Sequence, residues 1–361
     1  MSQFAFQPHP SPTSPAQRAA LLEAPAFGTV FTDHMVSMVW RAGGAGWGQR
    51  KVVPYGPLQL WPAAAVLHYA QEIFEGLKAY RWQDGSIHTF RPDANAERFA
   101  RSARRMALPE LSVEDFTGSL EALVRVDQEW VPAALGTSLY LRPFMFAAEA
   151  FIGVRASHEV SYFVIASPVG AYFKGGVAPV SIWVDQRHHR AGPGGTGAAK
   201  CGGNYAASLV SQELAYQHGC EQVLFLDAAT STTLEELGGM NVVVVLASGE
   251  VVTPPTSGTI LEGVTRASVL QLARDRGREV VERPIALSEL MDGIGSGAVA
   301  EVFACGTAAV VTPVGRLAGE GFDQAVGDGA PGALTMELYE ELTGIQYGRR
   351  EDRHGWTHRL V

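Results

Sequence analysis

The sequence has little cysteine. Its three thiols in 361 residues, Cys201, Cys220 and Cys305, form no CxxC pair. So sparse and odd a set excludes a disulfide framework and a thiolate zinc site, and it fits a reducing cytoplasm. Charge is thin as well, at 18% of residues, with 28 Lys and Arg against 37 Asp and Glu for a net charge of −9. The basic residues are scattered, so no nucleic-acid surface is indicated. No apolar run is long enough to span a membrane. Residues 1–26 carry Pro, Ser and Gln and lack a basic segment followed by an apolar one. They read as a flexible lead-in, not a signal peptide. No repeat of solenoid period recurs. His188 and His189 adjoin in a loop and read as solvent-facing, so no metal is expected.

What is present is a large apolar fraction, 47%, on a chain long enough for two domains. The densest run of small residues surrounds one lysine: GPGGTGAAKCGGNYAAS, Gly192 to Ser208, with Lys200 between two glycine-rich turns. Glycine lets the backbone bend sharply and approach a ligand closely. A lysine held there can grip a phosphate or form a Schiff base with a carbonyl. A phosphate-binding P-loop needs Gly before the lysine and Ser or Thr after it. Here Ala199 and Cys201 stand in those places.

Along the chain, strands are expected at 27–32, 36–40 and 51–54, and a hairpin over 77–81 and 87–90 about Gln83-Asp84-Gly85. Tyr69 and Phe74 read as core or as the wall of an apolar pocket. A helix begins at Asp93 or Asn95 and runs to Met106, with Arg98, Arg101, Arg104 and Arg105 at helical spacing. One of these turned inward would suit a phosphate. A second amphipathic helix covers 113–130. Arg142 lies inside an apolar strand and needs a partner there. The segment 169–179 breaks all periodicity and divides a domain at 27–168 from one at 180–361. In the second half, strands are expected at 180–185, 223–227, 242–246, 251–253 and 298–303. Helices are expected at 204–218, 265–275, 287–291 and 334–342. Thr265 at a helix start and Thr307 in a small-residue turn are candidate phosphate contacts as well as ordinary capping residues. Strands interleaved with helices give an α/β or α+β chain.

Eight of these stretches stand in one order: FGTVFTDHM, HYAxxxFEGLKAYR, RPDANAERFARSA, SLYLRP, GGTGAAKCGGNYAAS, EELGGMN, LEGVTR and FACGTAAVVTPV. Together, from Phe27 to Gly348, they resemble the branched-chain aminotransferases of pyridoxal-phosphate fold type IV. The resemblance implies a two-domain homodimer. It implies that Lys200 forms the internal aldimine and then moves the proton, and that Glu236 pairs with the pyridine nitrogen. Glu236 is preferred to Glu235 because it directly precedes Leu237-Gly238. Tyr205 would meet the phenolic oxygen. Arg98, the Val264-Thr265 helix start and Thr307 would hold the phosphate, and Arg190 would support the pocket. An apolar substrate pocket of Phe27, Phe74, Tyr140, Tyr205, Gly239 and Ala308 is implied, with Tyr69 and Val154 reaching it from the partner subunit. Arg142 would answer the side-chain carboxylate of glutamate. The chain departs from some members at Ala309 and Thr312, where they carry a thiol pair, so no thiol switch is expected. It departs again at Gly239, where some carry threonine. A D-amino-acid aminotransferase or aminodeoxychorismate lyase shares the fold but is usually shorter in its N-terminal half. A binding protein that kept the fold is disfavoured by the joint presence of Lys200, Tyr205 and Glu236.

Overall fold

Side chains alternate faces along a strand, and Leu139, Leu141 and Met145 turn to one side of theirs while Tyr140, Arg142, Phe144 and Phe146 turn to the other. That alternation organises the first of two compact units in the computed structural model, which describes residues 4–170 and 177–361. The first unit comprises Met1–Lys174, Ala199–Gly202 and Ile345–Val361; the second comprises Gly175–Ala198 and Gly203–Gly344.

The first unit is a sheet ordered Ala5–Phe6, Trp47–Pro54, His34–Arg41, Glu159–Val169, Ser138–Ala147, Leu77–Arg81, Ile87–Phe90 and Thr357–Arg359. Glu72–Phe74 also pairs with Ser138–Ala147. On one face Val36, Met38, Leu139, Leu141, Tyr162 and Val164 join Phe99, Phe116, Leu120 and Leu123 in one buried cluster. Phe99 comes from the helix Pro92–Arg105 and the last three from Val113–Val126. The other face carries Phe144, Phe146 and Phe163, stacked at 5.5–6.1 Å between ring centroids.

In the second unit the strands Leu234–Leu237, Gln222–Leu226, Val180–Asp185, Val310–Gly319, Val299–Gly306 and Asn241–Leu246 follow one another. Glu236 pairs with Asn241 and so joins the first of these strands to the last. The sheet thereby closes on itself, and closure satisfies edge groups that would otherwise invite foreign strands. Val251–Thr253 and Val280–Glu282 extend it, and the helix Val264–Asp275 packs on Val299–Gly306.

Three expectations fail here. Residues 27–32 form no strand: Gly28 turns with φ 69°, and the Thr29 hydroxyl donates to the Ala26 carbonyl at 3.3 Å. The lead-in is structured, with the strand Ala5–Phe6 and a helix Pro15–Glu23. Ser14 and Gln17 form a capping box and Pro15 sits at the helix start, a start signal that composition had hidden. The C-terminal residues 345–361 belong with the first unit, not the second. Their strand pairs with Ile87–Phe90, and the Tyr347 hydroxyl donates to the Thr137 carbonyl at 2.9 Å. The boundary segment 169–179 lies partly outside the described residues, as 171–176 are not among them.

Phe116 is fully buried with its ring 5.5 Å from that of Phe99. Phe116→Ala is expected to cost about 3–5 kcal/mol of stability, measured as a lowered denaturation midpoint in urea, because the helix face cannot collapse into so large a void.

Candidate active site

In the first unit the main chain of Lys200 is fixed at both of its polar groups. Its N–H donates to Ser102 Oγ at 3.0 Å, and its carbonyl accepts from the N–H of Phe74 at 3.0 Å. Gly202 N–H, two residues on, donates to the Glu72 carboxylate. Neighbouring Ala199 and Cys201 are buried in the core. The Lys200 ammonium lies 4.8 Å from the centre of the Phe74 ring, and the Arg142 guanidinium lies 4.6 Å from the same ring. Both are within cation–π range, so Phe74 is a floor shared by two cations.

Arg142 Nη2 donates to the Tyr140 hydroxyl at 3.0 Å. Its Nε is buried and has no hydrogen-bond partner among the described residues. A buried donor left unmet costs free energy, so the site favours an acceptor at that place. The Glu72 carboxyl is raised above its ordinary value by burial, against the opposing pull of the Gly202 N–H and the Arg142 charge. The exposed Phe27 ring stands edge-on to Tyr140 at 5.1 Å.

Arg98 is indeed the arginine turned inward, at 4% exposure. Its two-pronged edge is taken by a residue that sequence reasoning missed. Nε donates to Glu75 Oε1 at 2.7 Å and Nη2 to Oε2 at 2.8 Å. Asn95 Nδ2 adds a third bond to Oε2 at 2.8 Å, and Gly76 N–H a fourth at 3.2 Å. Burial raises the carboxyl of Glu75, but the Arg98 charge and hydrogen bonds, with Lys200 and Asn95, outweigh it and hold the group below its ordinary value. The helix starts at Pro92 after Arg91 in a left-handed turn, with no side-chain cap. That phase places Asn95, Arg98 and Ser102 on one buried stripe. The signal for Glu75 was an acid set between Phe74 and Gly76 in a strand-like run.

In the second unit Glu236 and Arg190 are both 3–4% exposed and pair at 2.8 Å through Oε1 and Nη1. Oε1 also accepts from Leu261 N–H at 2.8 Å, and Oε2 from Asn241 Nδ2 at 3.3 Å. Arg190 Nη1 further donates to the carbonyls of Thr259 at 3.1 Å and Gly197 at 3.3 Å. Adjacent Glu235 faces the other side of its strand and is raised by burial, with Oε2 lacking a partner among the described residues. Tyr205 is half-buried, and a Cβ on Gly239 would lie 3.7 Å from its Cε1. Asn241 pairs with Cys305, which brings 239–240 beside the turn that holds Thr307 and Ala308. The helix Val264–Asp275 begins after Gly263 with no side-chain cap, leaving Thr265 as its second residue, not its N-cap. An uncapped helix start offers several N–H groups to an anion.

Tyr69 and Val154 face outward, at 41% and 90% exposure. Ile152 is also exposed, and its carbonyl accepts from the Tyr69 hydroxyl. Among the described residues no cluster of His, Cys, Asp or Glu could hold a metal, and no helix is long and apolar enough to cross a membrane. By chemistry alone, the first unit offers an amine at Lys200 and a guanidinium at Arg98, and the second a buried acid at Glu236 and an uncapped helix start; these are types that suit an aldehyde, a phosphate and a basic ring nitrogen.

The profile of the class IV amino-transferases matches residues 72–317. A branched-chain-amino-acid aminotransferase of Mycobacterium tuberculosis is 54% identical over 362 residues, covering 99% of this chain and 98% of that one. Among solved structures, the branched-chain aminotransferase of Thermoproteus uzoniensis with norvaline has a TM-score of 0.73 at 26% identity, covering 90% of this chain and all of that one. The T.th. branched-chain amino acid aminotransferase complexed with N-(5'-phosphopyridoxyl)-L-glutamate also has a TM-score of 0.73 at 26% identity, covering 90% of this chain and 99% of that one.

The glycine density before Lys200 has a local cause at Gly197, where a Cβ would run into the backbone of Thr259. Gly197→Ala is expected to cost about 1–3 kcal/mol, read as a lower melting temperature, because the obstacle is main chain and cannot swing aside.

Proposed function

The chain belongs to the branched-chain-amino-acid aminotransferases of class IV, and we infer that it moves an amino group reversibly between L-leucine, L-isoleucine or L-valine and 2-oxoglutarate. The two half-reactions alternate on one cofactor in ping-pong order. Pyridoxal phosphate, when bound, supplies the electron sink that stabilises charge at the substrate α-carbon. The chain's own residues do the rest. The Lys200 amine would hold the cofactor through its aldehyde and would serve as the acid and base that moves the proton at the substrate α-carbon. Glu236, held by Arg190, Asn241 and Leu261 N–H, would keep a proton on the ring nitrogen. Tyr205 would donate to the phenolic oxygen. Arg98 of the first unit would meet the phosphate, as would the N–H groups at Val264-Thr265 and the Thr307 hydroxyl of the second. Relatives solved with a phosphopyridoxyl-glutamate adduct and with norvaline support this cofactor and both kinds of substrate side chain.

The observation that carries the substrate reading is Arg142, a guanidinium with a buried unmet Nε among aromatic rings. In the first unit Phe27, Phe74 and Tyr140 would give a branched side chain an apolar wall, and in the second the backbone at Gly239 and Ala308 is proposed as a substrate contact. Arg142 gives the glutamate side-chain carboxylate its partner. The exposed Tyr69 and Val154 suit a homodimer in which each subunit lends them to its partner. Three buried free thiols, with no disulfide among them, suit a reducing cytoplasm. The L-specific reading is favoured over a D-amino-acid aminotransferase by the near-full-length likeness to branched-chain enzymes.

The visible band of the purified holoenzyme is expected to bleach on adding L-leucine and to return on adding 2-oxoglutarate. A band unmoved by L-leucine but bleached by D-alanine would replace the substrate class. Lys200→Ala is expected to abolish turnover, and full activity in that variant would sink the mechanism. Arg142→Leu is expected to raise KM for 2-oxoglutarate by about 10–100-fold, the worth of a hydrogen bond to a charged group, while KM for L-leucine changes little. Steady-state kinetics with each substrate varied in turn would check the split.

A further inference from the structure

We propose that Glu75 is a positioning residue for the phosphate of the cofactor, acting through Arg98; this rests on the reading that Arg98 meets that phosphate. An arginine that answers a phosphate must keep its plane and its charge in one place before the ligand arrives. Glu75 supplies that restraint. The carboxylate takes Nε and Nη2 together, at 2.7 and 2.8 Å, which fixes the guanidinium in rotation as well as in position. A phosphate that meets Arg98 would then find the guanidinium already oriented.

Glu75 is itself held so that it cannot follow the ligand. Its side chain is fully buried and accepts from Asn95 Nδ2 and from Gly76 N–H. Its own N–H donates to the Pro143 carbonyl at 2.7 Å. The same two elements also hold the lysine. Phe74, next to Glu75, donates its N–H to the Lys200 carbonyl, and Ser102, one turn beyond Arg98, accepts from the Lys200 N–H. Glu75 therefore sets the spacing between the phosphate donor and the reactive amine. The carboxylate accepts from Arg98, Asn95 and Gly76, none of them the proposed reacting group, so the role assigned to it is positional.

The test compares pyridoxal phosphate with pyridoxal, which has the aldehyde and ring but no phosphate. Both are titrated into apoprotein, and the dissociation constant of pyridoxal divided by that of pyridoxal phosphate measures the phosphate contribution. Glu75→Gln removes the charge. Glu75→Asp keeps the charge but withdraws it by one methylene, and Asn95→Ala loosens the carboxylate with both charges in place. The last two decide the matter if the first does not fold. In a folded variant of Glu75 the ratio is expected to fall at least about tenfold, with pyridoxal binding within about twofold of wild type. Asn95→Ala is expected to give a smaller fall of the same kind. An unchanged ratio, or equal weakening of both ligands, would overturn the proposal, the second outcome marking a merely structural role. Wild-type protein that binds neither ligand would overturn the cofactor reading and this inference with it. Wild type that discriminates, beside Glu75 variants that discriminate equally well, would leave the cofactor reading standing and remove only the role of Glu75.

Discussion

A carboxylate taken out of water stays ionised only if a cation is brought to it, and each unit of this chain contains such a pair with both members buried. In the first unit it is Glu75 with Arg98, and in the second Glu236 with Arg190. Removing one member of a buried pair typically costs about 3–5 kcal/mol, because the other charge is stranded. Hydrophobic residues of equal volume would often serve stability as well or better. The pairs are therefore poor candidates for stabilising devices and good ones for orienting devices. Each holds still a group whose direction matters: an arginine plane in one unit, a carboxylate in the other.

What surrounds each pair follows from the need to fill every remaining lone pair. Glu75 draws on Asn95 and a backbone N–H; Glu236 draws on Asn241 and the N–H of Leu261. Glu236 is also the residue through which the second sheet closes, by pairing with Asn241. Strand closure and carboxylate position are thus one constraint. Arg190 extends it, since its other bonds reach the carbonyls of Gly197 and Thr259. That close approach of two backbones leaves no room for a side chain at Gly197. The small residues before Lys200 are explained by contact as much as by flexibility.

The elements with strong local signals were legible in the sequence. The two helices after Pro92, the hairpin at Gly85 and the apolar strand 241–246 all stand where periodicity put them, within a few residues. Motif singles out Lys200 and Glu236; the structure adds the main-chain bonds of Lys200 and the buried pair of Glu236 with Arg190. What was not legible depends on contacts distant in sequence. Glu75 is twenty-three positions from its partner Arg98, and nothing local marks the pairing. The C-terminal strand joins the first unit across more than 250 residues, so a linear reading assigned it to the second. The lead-in was misread for a different reason: its composition suggested a flexible chain, while Ser14, Pro15 and Gln17 held a helix start.

If Arg142 lines the substrate pocket as proposed, its surroundings bear on how one pocket could serve two kinds of side chain. A guanidinium beside a leucine side chain is costly if its charge is exposed to the hydrocarbon. Here the charge lies over Phe74 and Tyr140, whose ring faces are electron-rich, and within the field of Glu72. Ring contact of this kind would make the cation more tolerable beside a branched side chain. The unmet Nε then prefers an incoming carboxylate without requiring one. Phe74 also lies 4.8 Å from the Lys200 amine, so its ring is within cation–π range of both groups. The same ring thus touches both the Lys200 amine and the Arg142 guanidinium, and a change in its tilt would be felt by both.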